Sequence, residues 1–181
     1  MDFLWTPHRF SGGLLALDVA NSVILRATPE RSIDRFEHAD GLAAFASAAT
    51  TLCAEPLPTR LLMPPADRAA FLALREAIDR YFRQRVEGAD DAGLLADLLD
   101  AAARTLRLSP NGADLGASTA RSALRLAARA DDGRLKICAN CGWLFFDRSK
   151  NRSRAWCDMT VCGNRRKASR HYRRAKDGGA A

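Results

Sequence analysis

Four cysteines crowd into 25 residues near the C-terminus: Cys138-Ala-Asn-Cys141, then fifteen residues, then Cys157-Asp-Met-Thr-Val-Cys162. Each close pair can place two thiolates on one cation. The stretch between them suits a short hairpin that folds the pairs together. This is the spacing of a tetrahedral zinc site, one Zn²⁺ per chain. Four thiolates leave no coordination position for water, so such a metal is structural and not catalytic. No His-x-Glu motif accompanies the cysteines, which argues against a zinc deaminase. Disulfide pairing is the alternative. The start, Met1-Asp2-Phe3-Leu4-Trp5, has no basic region followed by an apolar one, and no run is long and apolar enough to span a bilayer. We therefore expect no membrane partner and a reducing, cytoplasmic setting, where paired cysteines more often hold metal than form disulfides.

The charge is divided as sharply as the cysteines. The chain of 181 residues carries a formal +7. Residues 134–176 hold 13 Lys/Arg against Asp147 and Asp158, a net +11, whereas the remainder is −4. A zinc ion on four thiolates would leave the C-terminal module at about +9. A mildly acidic body thus carries a strongly basic, metal-built module.

The body, residues 1–132, reads as mostly helical. Gly12-Gly13 precedes an apolar segment, Leu14 to Leu25, interrupted by Asp18, Asn21 and Ser22. Asp40 suits an N-cap for a helix through Leu42, Phe45 and Ala49. Four prolines between 56 and 65 break the pattern. Phe71, Leu74, Ile78, Tyr81 and Phe82 recur at helical spacing within Arg68 to Glu87, the clearest helix. Leu94, Leu95, Leu98 and Leu99 mark another. Asn111-Gly112, between the runs 105–108 and 113–117, predicts a short β-hairpin. Ser118 is a candidate cap for a further helix through Leu126, ended by Asp131-Asp132-Gly133. The fold class is then mainly α, with one short hairpin in the body and a small treble-clef-like module at 133–176, leaving 177–181 as a disordered tail.

Within the module, Cys138 and Cys141 predict a knuckle whose amides face the metal. Trp143-Leu-Phe-Phe146 is strand-like, Asp147 to Arg154 turn-like, and Ala155-Trp156 is expected to return as the second strand. Trp143, Phe145 and Trp156 are the candidate core. Cys162-Gly163 opens a helix over 164–176, whose N-terminal dipole favours a thiolate. About 40 residues cannot bury enough surface to fold alone, so the metal must contribute. On this helix Ala168, His171, Tyr172 and Ala175 share one narrow face. Asn164, Arg165, Arg166, Lys167, Arg170, Arg173 and Arg174 fall on the broad remainder, which suits the phosphates of a nucleic acid, most readily double-stranded DNA. Lys150, Arg152 and Arg154 in the turn extend that footprint. A solvated basic face, an acidic protein partner or an anionic membrane are the alternatives.

The run Phe145-Phe-Asp147-x-Ser149-x-Asn151, then Trp156-Cys157-x-Met159-x-x-Cys162-Gly163-Asn164-Arg165-x-Lys167-Ala168, strongly resembles the CGNR-type zinc finger. In that family the finger follows an N-terminal ligand-sensor-like region, the ABATE domain. Leu15-Ala-Leu17-Asp18-x-x-Asn21-Ser22 resembles the opening of that domain. The resemblance implies a bacterial, stress-induced transcription regulator, with Cys138, Cys141, Cys157 and Cys162 as zinc ligands. Two departures stand out. The first cysteine pair is separated by only two residues, and Ala155 occupies a position that is often basic.

Other polar residues have two readings each. Asp18 and Asn21, three apart on a helix-like segment, form either a polar floor for a small-molecule effector or a buried hydrogen-bond pair that fixes packing. Cys53 reads as a small buried hydrophobe. His8 and His38 have no ligand-spaced neighbours and read as ordinary polar residues. His171 lies about 13 Å along the helix from Cys162, too far for the same metal. Asp147 reads as the organiser of its turn and Asp158 as a neutraliser of a nearby arginine. A homodimer would add affinity, although no heptad stretch specifies one. No Ser/His/Asp set, phosphate loop or carboxylate pair supports an enzyme. The main rival to a DNA-binding regulator is a zinc-stabilised module that docks an acidic protein.

Overall fold

The helical period of Phe71, Leu74, Ile78, Tyr81 and Phe82 becomes the inner face of a 19-residue helix, and the body is arranged around it. The computed structural model describes residues 3–57, 64–89, 91–109, 112, 114–130 and 133–169. The body comprises α1 (Leu15–Ala20), β1 (Val23–Ile24), β2 (Ile33–Asp34), α2 (Ala39–Leu52), α3 (Arg68–Val86), α4 (Ala92–Leu108) and α5 (Leu115–Ala127). The module follows with β3 (Leu135–Ile137) and β4 (Leu144–Phe146). The fold is mainly α, with two short antiparallel hairpins, β1–β2 and β3–β4.

Three helices begin at an aspartate whose carboxylate accepts backbone N–H bonds of the first turn: Asp67 from Ala70, Asp91 from Gly93 and Leu94, and Asp114 from Ala117. Each such cap contributes about 1 kcal/mol. Every residue of α1 is buried, because α1 packs against both α3 and α5. Leu17 of α1 joins Leu74, Ile78 and Phe82 of α3, Leu98 of α4 and Ala123 of α5 in one core. A second, aromatic cluster packs α2 against the N-terminal segment, with the Trp5 and Phe10 rings 4.8 and 4.9 Å from Phe45.

Several local expectations are corrected. The body hairpin lies at 23–34 and not at 105–117. Residues 105–108 are instead the last turn of α4, since its buried positions Leu98, Ala102 and Thr105 carry the helical period through them. Asn111 and Ala113 lie outside the described residues. Asp40 sits in the first turn of α2, whose N-cap position is His38. Asp114 and not Ser118 caps α5, and Ser118 is buried inside that helix. The helix ends at Ala127, ahead of Asp131 and Asp132, which are not among the described residues.

The largest correction concerns the module. The partner of β4 is β3, which precedes the knuckle, with Leu135 opposite Phe146 and Ile137 opposite Leu144. Ala155 contributes only a carbonyl to the N–H of Ala139, 3.1 Å away, and Trp156 is not in a strand. The reason is the two-residue period of a strand. Leu135, Ile137, Leu144 and Phe146 all lie on the face that packs into the body core, whereas Phe145 faces the cysteines. One hairpin therefore serves two cores.

Candidate metal centre

The knuckle is the turn of the β3–β4 hairpin. Cys138 N–H donates to the Trp143 carbonyl (2.8 Å), and Gly142 N–H donates to the Cys138 carbonyl (2.9 Å). Gly142 adopts φ +74°, a left-handed conformation that residues with a Cβ rarely take. The 147–155 turn is ordered as expected by Asp147, which is fully buried. Its carboxylate accepts from the N–H groups of Ser149 and Arg154 (both 2.9 Å) and from Lys136 Nζ (3.0 Å). Burial opposes its charge, but the hydrogen bonds from Ser149, Lys136 and Arg154 outweigh it and hold the carboxyl well below the usual range. Asp158 then caps a π-helical turn, Met159–Gly163, by accepting from Thr160 and Val161 N–H. Cys162 lies in this turn, which runs on into a helical stretch over 164–169.

These elements bring all four sulfurs within 4.8 Å of one another. Cys157 Sγ lies 3.7 Å from both Cys141 Sγ and Cys162 Sγ. A disulfide would need about 2.05 Å. A zinc tetrahedron with Zn–S bonds of about 2.3 Å has sulfur–sulfur edges of about 3.8 Å. The donor set therefore fits Zn²⁺, and Cys138, Cys141, Cys157 and Cys162 form a single structural zinc site. The electrostatics agree. Four thiolates packed this closely repel one another unless a cation neutralises them. A divalent cation is what lets all four ionise together. The fifth cysteine, Cys53, is elsewhere. Its thiol donates to Asp18 at 3.5 Å, and burial pushes it up.

Around the metal, Trp143 and Phe145 are buried and Trp156 is partly so, as expected, but Ile24 of the body also packs there. His8 is the residue that sequence reasoning missed. Its ring stacks on Trp143 (centroids 5.4 Å apart), and Nδ1 bonds Asp158 at 3.0 Å. Asp158 thus serves a histidine and a helix cap, not an arginine. No spacing rule links His8 to Asp158, because 150 positions separate them.

Asp18 and Asn21 serve different partners. Asp18 accepts from Gly12 N–H at 2.8 Å, and a Cβ on Gly12 would come within 2.7 Å of the same oxygen. Burial pushes the Asp18 carboxyl up to about 8, against the pull of the Gly12 bond. Asn21 imitates a strand neighbour for β4: its amide donates to the Leu144 carbonyl (2.9 Å), and its oxygen accepts from Leu144 N–H (3.0 Å). Asn21 also lines a cleft of about 540 Å³ between the body and the knuckle, with Leu25, Arg26, Asp79, Arg83, Asn140 and Trp143. Asp18 is fully buried and does not line it.

The basic residues divide likewise. Lys150, Arg152, Asn164, Arg165, Arg166 and Lys167 are exposed. Arg154 is half-buried, with its guanidinium over the Phe145 ring and bonded to the Cys157 carbonyl, so part of it is structural. Arg148 reaches the body and donates to the carbonyls of Gly13 and Ala54. Arg170, Arg173 and Arg174, with His171, lie outside the described residues. No helix among the described residues is long and apolar enough to cross a membrane.

No curated protein and no solved structure matches the chain. Two family models do. Residues 134–175 match the CGNR zinc finger, and residues 13–141 match ABATE, described as "Putative stress-induced transcription regulator". With a zinc-fitting sulfur quartet behind the first match and most of the chain inside the second, this chain belongs to the ABATE family and ends in a CGNR zinc finger.

Proposed function

We propose that this protein regulates transcription by binding double-stranded DNA through the basic segment that its zinc orders, and that a small effector taken up by the body alters how that segment is presented. The observation that carries the reading is the run Asn164-Arg165-Arg166-Lys167. It extends from the metal site as an exposed stretch, and among the described residues none of its cations meets a carboxylate. A helix studded with free cations and anchored at one end by a metal suits the phosphates and groove of a duplex. The reading includes no catalysis, because four sulfurs leave the metal no open position.

The effector part rests on the cleft between body and knuckle, which Asn21 lines. A ligand there would touch both the body and the loop that holds Cys141. Fluorescence anisotropy of the zinc-loaded chain on a labelled random duplex tests the DNA reading. Neutralising about six phosphates predicts a log K against log salt slope near −5, and chelation of the zinc should abolish binding. A flat salt response, or undiminished binding by the chelated protein, would overturn it. For the effector, linkage requires its affinity to differ between free and DNA-bound protein, and equal affinities would remove the regulatory claim.

A further inference from the structure

We infer that the DNA-binding surface does not stop at the finger but continues onto the N-terminal segment of the body, where Arg9 and Arg35 flank Phe3 and form a second anchor for the phosphate backbone. This rests on the DNA reading above. The geometry begins with Phe3, whose ring has the Arg35 guanidinium 4.0 Å and the Arg9 guanidinium 5.3 Å from its centroid. Arg9 also reaches within 6.0 Å of the Trp143 ring in the finger. Its neighbour His8 is bonded to Asp158, the cap of the turn that leads into the 164–169 helical stretch. Arg165 begins within about two turns of that cap, roughly 10 Å along a helix.

Like charges so close need a reason. The body pairs several of its other arginines with carboxylates, Arg26 with Glu76, Arg75 with Asp34, Arg83 with Asp79, and Arg125 with Glu55, while Arg85 donates to the carbonyls of Ala127 and Arg129. Among the described residues, Arg9 and Arg35 have no carboxylate partner. They also repel each other: burial first, then Arg35 and Arg165, hold the Arg9 guanidinium below its ordinary range. Aromatic faces fix such cations in place without consuming their N–H groups, and Arg35 Nε is buried with no hydrogen-bond partner. A phosphate backbone crossing from finger to body would relieve the repulsion among the three arginines at once. The body would then be part of the reader, and its position relative to the finger would be read out directly in DNA affinity.

The test is the salt slope of duplex binding by zinc-loaded full chain, with zinc content and melting temperature measured alongside. Each phosphate that is no longer neutralised lowers the magnitude of the slope by about 0.9, so Arg9→Gln with Arg35→Gln should lower it by about 1.8. Arg9→Lys with Arg35→Lys, which keeps the charges and weakens the stacking, should leave the slope unchanged. If the glutamine pair leaves the slope intact while Arg165→Gln with Arg166→Gln lowers it, the body anchor is refuted and the DNA reading survives. If the glutamine and lysine pairs lower it equally, the two arginines act through packing, and the inference is overturned. If the wild type shows no salt-dependent duplex binding, the function itself fails and the anchor goes with it.

Discussion

The body and the finger share one hairpin but reach stability by different routes. The body closes two clusters of buried apolar side chains over more than a hundred residues. Burial at about 25 cal/mol per Å² of apolar surface is its main support. The finger's own cluster has five buried members, and three of them are cysteines. Its interior is therefore largely the metal site. The difference teaches that the finger is not an independent appendage. Leu144 lies in the body core while its neighbour Phe145 lies against the cysteines. Removing the metal should thus be felt in the body, and loosening the body should be felt at the metal.

The largest expected effect is therefore zinc removal. Structural zinc contributes about 10–16 kcal/mol in finger peptides, so chelation, or Cys162→Ser, should unfold the finger. It should also lower the melting temperature of the body, followed by helical circular dichroism. A body that melts at an unchanged temperature after chelation would break the coupling. Next comes Asn21→Ala. It removes both bonds to the Leu144 backbone and leaves a buried donor and acceptor unsatisfied, at a cost of about 2–4 kcal/mol in denaturant unfolding. The same variant should weaken zinc retention in a competition with a chromophoric chelator, whereas a purely local role would leave retention alone.

The smallest effect is the most specific. Asp18 has its carboxyl raised to about 8 in the fold, against an ordinary value of 3.8. The folded state therefore holds a proton that the unfolded chain releases above about pH 4. Its contribution to stability is complete below the ordinary value, declines as pH rises towards 8 and is level above that. Asp18→Asn keeps the acceptor for Gly12 N–H but cannot ionise. The difference in unfolding free energy between variant and wild type should widen in the variant's favour from pH 6 to pH 8. The zinc site is common to both proteins, so its own proton dependence cancels. A constant difference would show that Asp18 ionises in the fold as it does in water.

Much of this architecture was legible in the chain, and the illegible part has a common cause. The period of Phe71 to Phe82 marked α3 because a helix repeats its inward face every three to four residues. The cysteine spacing marked the metal because ligands on a tight turn must be close in sequence. Asp147 was readable as a turn organiser for the same local reason. The Asn-Gly at 111–112 misled, because a turn signal says that the chain reverses but not whether strands or helices flank the reversal. Trp156 misled as a strand residue because an aromatic near a ligand fits a strand or a loop equally well until its partner is known.

Local chemistry, then, determined that this protein would be helical with a basic four-sulfur module, since helical period, caps and ligand spacing act over a few residues. Only the tertiary structure decided that β3 pairs with β4, that Asn21 stands in as a strand partner 123 positions from Leu144, and that His8 grips the finger across 150. Such contacts depend on which surfaces meet once the chain has collapsed. Neither composition nor periodicity carries that information, because distant residues become neighbours only through the packing of everything between them.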